Sequence, residues 1–263
     1  DTFEEIILNL KKKGNPISMD EIVYYQNINK DIPKYSYAIT FDDGFYNNYT
    51  LARPILENYS TPATFYISTN LIENNYMTWI DKLEYCLNKA PCLNILLPWN
   101  AHPIKLIDEN SKINCLEQIR KNIKSNPSFY NIQNFVDNIY YQCSEKQIAE
   151  SDHILYKKMK WDQIREMNLN SLFTIGGHSH NHVSLGSLNY ADLRYEIETS
   201  IDLVKNNVGI NLVHYSYPEG QKSDYSIDVI NLLKKFGIKC CPTAIDGLND
   251  QNTDLFHLRR IML

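Results

Sequence analysis

The chain has 263 residues, a formal net charge of −5 and 43% hydrophobic content. This length and composition suit a globular fold with a substantial core and exclude an intrinsically disordered chain. The acidic balance leaves no basic stripe to displace counterions from phosphates, which excludes nucleic acid as a partner; Lys11-Lys12-Lys13 reads as a solvated helix end.

Apolar positions at Phe3, Ile6, Ile7 and Leu10 predict an amphipathic helix over 2–12, stopped by Gly14 and Pro16. Ser18 and Glu21 have capping-box spacing and open a second short helix before Pro33. Residues 37–41 read as a buried parallel strand with Asp42-Asp43-Gly44 at its carboxyl end. A helix over 47–59 and a second buried strand over 63–67 complete a βαβ unit.

From residue 80 to 158 the texture changes, and this segment reads as a mainly helical insertion in a single domain spanning 1–263. Helical stretches are expected at 116–124 and 135–141, and the roles of substrate-shaping wall and structural elaboration stay open. Beyond it, a helix over 161–167 precedes a strand over 172–177 that delivers His178 to its end. A long helix over 189–207, a strand over 212–217, a helix over 226–236 and strands over 238–241 and 256–263 follow. This alternation without hairpin signals predicts an α/β fold around a parallel sheet, barrel-like or open, with its active site at the strands' carboxyl ends.

The cysteines (Cys86, Cys92, Cys115, Cys143, Cys240 and Cys241) are not spaced as zinc-binding pairs, and no apolar run is long enough to span a membrane. Free thiols favour a reducing compartment and so the cytoplasm; because the chain starts at Asp1 rather than at a methionine, export after loss of a leader is the alternative. Oligomeric state is not legible.

Two constellations carry chemistry. Asp42 and Asp43 are adjacent carboxylates whose mutual repulsion a cation would relieve, whereas a helix cap needs only one acid. His178 and His182, four residues apart, can aim both imidazoles at one point, with His180 left as a surface or supporting residue. Two histidines and one carboxylate hold a divalent metal with a position open for water, and the other carboxylate is free to act as a base. Such a metal lowers the pKa of water from about 15.7 to about 7, roughly 12 kcal/mol of help at neutral pH. Zinc suits this ligand set best, and cobalt or nickel would also fit.

Thr40-Phe41-Asp42-Asp43-Gly44 followed by His178-Ser179-His180-Asn181-His182 resembles the first two motifs of the polysaccharide deacetylases, carbohydrate esterase family 4, also called the NodB-homology fold. Tyr215-Ser216-Tyr217-Pro218-Glu219-Gly220 resembles the third motif, and Phe256-His257-Leu258-Arg259-Arg260-Ile261 the closing strand. The resemblance implies a distorted (β/α) barrel and removal of N-acetyl groups from an amino sugar in a polysaccharide or glycan precursor. It also implies that Asp42 is the general base and that Asp43, His178 and His182 hold the metal. Tyr217 and Pro218 would contact the carbohydrate, and the backbone N–H of Glu219 would stabilise the oxyanion.

Ser216 stands where the family has an arginine bracing the catalytic aspartate, so Arg260 is the candidate substitute, with Arg259 beside it. His257 is the candidate general acid, with His214 a second choice that reads more simply as a structural histidine. Two rival readings use the same site: a carbohydrate-binding barrel with little or no turnover, and a sugar O-deacetylase or deformylase.

Overall fold

In the computed structural model, which describes residues 2–89, 93–125, 132–143 and 154–263, the N-terminal helices start at their sequence signals. Thr2 with Glu5 caps α1 (Phe3–Lys13), and Ser18 with Glu21 caps α2 (Met19–Asn27), each box satisfying backbone N–H groups that a helix end leaves open. Strand β1 (Asn15–Pro16) pairs in parallel with β2 (Ser36–Tyr37), and β3 (Ile39–Phe41) runs up to Asp42. The expected helix over 47–59 divides into a wide π-type turn, Asn48–Ala52, and α3 (Arg53–Asn58). Pro54 causes the division, because it has no N–H to continue the helical ladder, and the Arg53 N–H reaches back to Asn48. Strand β4 (Ala63–Ile67) is buried along its whole length and leads into α4 (Thr69–Asn74).

Two units divide the chain: Asp1–Tyr76 with His153–Leu263, and Met77–Asp152. The second contains α5 (Trp79–Lys89), an antiparallel hairpin of β5 (Leu93–Ile95) and β6 (Ile104–Leu106), α6 (Glu109–Ser125) and α7 (Ile132–Cys143). It has its own core, including Leu83, Leu87, Ile95, Leu106, Ile119 and Val136. Its hairpin was not legible as one, and α6 extends well ahead of the stretch at 116–124, because its polar first turns carry no apolar period. Cys92 and the parts of the expected insertion at 90–92, 126–131 and 144–153 lie outside the described residues. The cysteines among the described residues are free thiols, and no described helix is long and apolar enough to cross a membrane.

The first unit resumes with α8 (Trp161–Asn168), β7 (Phe173–Gly177), α9 (Tyr190–Val208) and α10 (Ile227–Lys235). Its sheet runs β3-β4-β7, all parallel, with Phe41 opposite Phe65 and Phe65 opposite Ile175. Stacking of Phe41 on Phe65 and an edge contact from Phe65 to Phe173 fill one face. Beyond β7 the parallel order continues through single bridges, Gly177 to Tyr215 and His214 to Cys240, rather than through the full strands expected over 212–217 and 238–241. Pro218, a left-handed Glu219 and Pro242 stop these ladders early. The tail over 256–263 forms no ladder and begins in a turn: the Leu255 and Leu258 carbonyls accept from Cys241 and Thr243. The α/β fold is therefore that of a distorted parallel array, with no closed barrel among the described residues.

At the centre of the sheet Gly176 faces Tyr66, and a Cβ added there would lie 2.4 Å from the tyrosine ring. Gly176→Ala is expected to destabilise the protein by about 1–3 kcal/mol, measured as a lower denaturant midpoint at unchanged slope.

Candidate metal centre and catalytic site

Two strand ends build the site. Asp42 and Asp43 follow β3, and His178 follows β7; β4 stands between them and ties the ends together through the His178 N–H, which donates to the Ile67 carbonyl at 3.0 Å. Ser68 Oγ also donates to the His178 carbonyl, at 2.7 Å. The loop then turns through Ser179 and His182, both in the left-handed region at φ 61° and 54°, to bring the second histidine back. Asp43 shares that conformation at φ 70°. Non-glycine residues held there are costly unless neighbouring contacts enforce them.

Among the described residues, Asp43, His178 and His182 are the group whose ligand atoms all lie within 4.8 Å of one another. Asp43 Oδ1 is 3.1 Å from His182 Nε2 and 3.5 Å from His178 Nε2. These approaches are off the line of a hydrogen bond, and Asp43 Oδ1 is buried without a hydrogen-bonding partner, as expected of lone pairs aimed at a shared cation. His178 Nδ1 donates to the Ser216 carbonyl at 2.9 Å, a bond that directs the Nε2 lone pair inward. The residues present thus fit a divalent metal with an N₂O ligand set.

Asp42 is held differently. Arg260 clamps it with two parallel bonds, Nη1 to Oδ1 at 2.9 Å and Nη2 to Oδ2 at 2.8 Å. The guanidinium is in turn seated by the Thr243 carbonyl, Thr40 Oγ1 and Ser216 Oγ. Ser216 thus joins both halves, its carbonyl orienting His178 and its hydroxyl receiving Arg260. Asp42 Oδ2 lies 3.9 Å from His178 Nε2, beside the triad but outside it.

Burial favours the neutral form of Asp43, yet the adjacent His182 and then His178 and Lys158 outweigh it and hold the carboxyl well below its ordinary range. Burial alone would depress His182, but Asp43 beside it pushes its pKa up to about 9. His178 stays below its usual value, because burial dominates over the attraction of Asp42.

A model of the family described as polysaccharide deacetylase matches residues 29–241. The chain belongs to the polysaccharide deacetylase family. Among the curated proteins, none matches the chain in sequence. Solved structures with a similar fold include the deacetylase domain of BpsB from Bordetella bronchiseptica, at 19% identity and a TM-score of 0.63, covering 98% of this chain and 83% of that one. IcaB from Ammonifex degensii is similar at 14% identity and a TM-score of 0.60, covering 99% and 82%. The Streptococcus pyogenes deacetylase PplD, in complex with acetate, is similar at 17% identity and 0.58, covering 96% and 75%. At these identities the likeness is one of fold.

Three expected site residues of this family member are not brought to the centre. His257 is half-exposed, with its Nδ1 3.3 Å from Asp254 Oδ1 and its ring edge against Tyr225; it makes no contact with Asp42, Asp43, His178 or His182. The short turn over 254–257 directs it there, where a continuous closing strand would have alternated its side chains. Tyr217 is fully buried, stacked on Tyr225 and bonded to the Phe256 carbonyl, and Pro218 is buried as well. His214 is a buried structural histidine whose Nε2 pairs with Asp20 at 2.8 Å. Arg259 is exposed on the loop over 246–249, leaving the aspartate to Arg260.

One supporting residue went unread. Glu196 on α9 is buried, and its carboxylate accepts the backbone N–H groups of His180 and Asn181 at 2.9 and 2.8 Å, plus the Asn181 side-chain amide. It clamps the loop that carries His178 and His182. Its signal was present: Leu193, Glu196, Ile197 and Ser200 share one inward helix face, where an acid is out of place unless it has a task.

The raised pKa of His182 has a stability consequence. Between its ordinary 6.5 and about 9, folded His182 keeps a proton that the unfolded chain releases, so stability is present below that window and lost as pH rises through it. Chelator-treated protein should show a denaturation midpoint that falls from pH 6.5 to 9, and Asp43→Asn should flatten the profile.

Proposed function

We propose that the protein is a metal-dependent hydrolase that removes N-acetyl groups from an amino sugar in a polysaccharide or glycan precursor. The observation that carries this reading is the convergence of Asp43, His178 and His182 beside a second carboxylate, Asp42, locked by Arg260. Membership of the polysaccharide deacetylase family supports the substrate class.

Asp43 and the Nε2 atoms of both histidines would hold the metal, with zinc the best match to two nitrogens and an oxygen. When bound, such a cation polarises the acyl carbonyl and lowers the pKa of water to about 7. Asp42 takes up the proton of the attacking water. Its bidentate bond to Arg260 fixes the orientation of the carboxylate, and orientation is what a general base in an enclosed site most needs. The Glu219 backbone N–H, at the left-handed turn after Pro218, is assigned to the oxyanion of the tetrahedral intermediate.

His257 stands away from this centre, so protonation of the leaving amine has no assigned donor. That observation favours a second reading, O-deacetylation, because an alcohol leaves a tetrahedral intermediate far more readily than an unprotonated amine. The carbohydrate-binding barrel without turnover is the third.

Acetate release from N-acetylated and from O-acetylated oligosaccharides, after chelation and reloading with zinc, separates the three. Release from the N-acetylated substrate is expected; zinc uptake with no release from either leaves only the binding barrel. Asp43→Asn should lose both zinc and activity by elemental analysis and acetate assay. Asp42→Asn should keep zinc and lose about 10²–10⁴-fold in kcat. Arg260→Ala should keep zinc while kcat falls by about 10–100-fold, since the aspartate remains but is no longer oriented.

A further inference from the structure

One short helix grips both loops that carry Asp43, His178 and His182. Helix α4 follows β4 directly, and its first turn holds the histidine loop. There the Thr69 and Asn70 N–H groups donate to the Ser179 and His180 carbonyls at 3.3 and 2.9 Å. Asn70 Nδ2 adds a bond to Asn181 Oδ1 at 2.7 Å. One turn on, Ile72 packs against Gly44, so closely that a Cβ on the glycine would lie 2.8 Å from Ile72 Cδ1. At the far end Asn75 caps the helix in the left-handed conformation, φ 52° and ψ 42°, and its Oδ1 accepts the Lys158 N–H at 2.9 Å.

That last bond leads back to the acids. Asp43 and Gly44 are consecutive left-handed residues, at φ 70° and 74°, and the aspartate needs outside contacts to stay there. The segment over 157–159 supplies them. The Met159 N–H donates to the Gly44 carbonyl at 2.8 Å and the Tyr46 N–H to the Lys157 carbonyl at 2.7 Å, so Phe45 and Lys158 pair as an antiparallel bridge. In such a pairing the groups of residues 157 and 159 face the acid loop, and the N–H of residue 158 faces the opposite edge. Asn75 receives it on that edge. The segment is therefore held between the acid loop on one side and the end of α4 on the other.

We propose that α4 is the spacer that fixes Asp43 relative to His178 and His182, and that Asn75 is a positioning residue for metal binding, acting through Lys158 and Gly44. This role rests on the metal-dependent hydrolase reading above and deepens it. Metal–ligand distances tolerate only about 0.2 Å of error, so the support behind each ligand is felt at the metal. Capping alone does not call for this side chain, because glycine serves a left-handed helix end at least as well.

Asn75→Gly separates the two tasks: it keeps the left-handed cap and removes only the acceptor, whereas Asn75→Asp keeps both. Zinc affinity is measured by chelator competition, alongside kcat and KM for acetate release. Asn75→Gly is expected to bind zinc about tenfold more weakly and to lose about tenfold in kcat at unchanged KM. Asn75→Asp is expected to stay within about twofold of wild type in both. Asn70→Ala, which loosens the hold of the same helix on the histidine loop, is expected to weaken zinc about threefold and tests the spacer from its other end. The proposal is overturned if Asn75→Gly or Asn70→Ala binds zinc as wild type does, or if Asn75→Asp loses as much affinity as Asn75→Gly. A wild-type protein that binds zinc but releases no acetate rejects the deacetylase reading, and the zinc affinities of the variants still decide the role of Asn75.

Discussion

The parallel register of β3, β4 and β7 decides where every acid and imidazole of the site stands. Phe41, Phe65 and Ile175 lie side by side across the ladder, so Asp42 and Asp43, just past Phe41, and His178, three residues past Ile175, leave the same carboxyl-terminal edge of the sheet. Asp42 and Asp43 leave the first strand there and His178 leaves the third, while the Ile67 carbonyl and Ser68 hydroxyl of the middle strand's end pin the His178 backbone. Because side chains alternate along a strand, a slip of one residue in this pairing would turn its residues to the opposite face. The aromatic cluster of half-buried Phe41 with buried Phe65 and Phe173 makes such a slip expensive.

Given that placement, electrostatics divides the two aspartates into different tasks. Adjacent carboxylates at a buried strand end repel, and the fold answers each with a separate partner. Asp42 receives the planar fork of Arg260, which bonds both oxygens and orients the carboxylate. Asp43 receives two imidazoles, which can share a proton with it or surrender it to a metal. Ser216 links the halves, and its small side chain leaves room for the guanidinium to enter from the C-terminal tail.

Holding two histidines on so short a loop strains the backbone, and the contacts that enforce it come from several elements. Ser179 and His182 adopt left-handed conformations, while Glu196 gathers the intervening N–H groups and the Tyr215 hydroxyl accepts from Ser179. The first turn of α4 adds Thr69 and Asn70 N–H bonds to the Ser179 and His180 carbonyls. The loop is thus bonded from two helices and from Tyr215, which accounts for the fixed positions of His178 and His182.

Legible in the amino-acid order were the alternation of helix and strand, the capping box at Ser18, the βαβ unit and the two pairs of chemistry-bearing residues, because these depend on local periodicity and on residue type at short spacing. The chain's resemblance to the polysaccharide deacetylases supplied the family and, with it, the fold. What distance in the chain decides was not legible. Arg260 reaches Asp42 across more than two hundred residues, and nothing in the Arg259-Arg260 pair tells which one turns inward. His257, Tyr217 and Pro218 read as site residues from their motifs, but a tight turn exposes the first and core packing covers the other two. Glu196 acquires its meaning only from the loop it meets, since a buried acid is explained by what surrounds it, and the surroundings are assembled by tertiary structure alone.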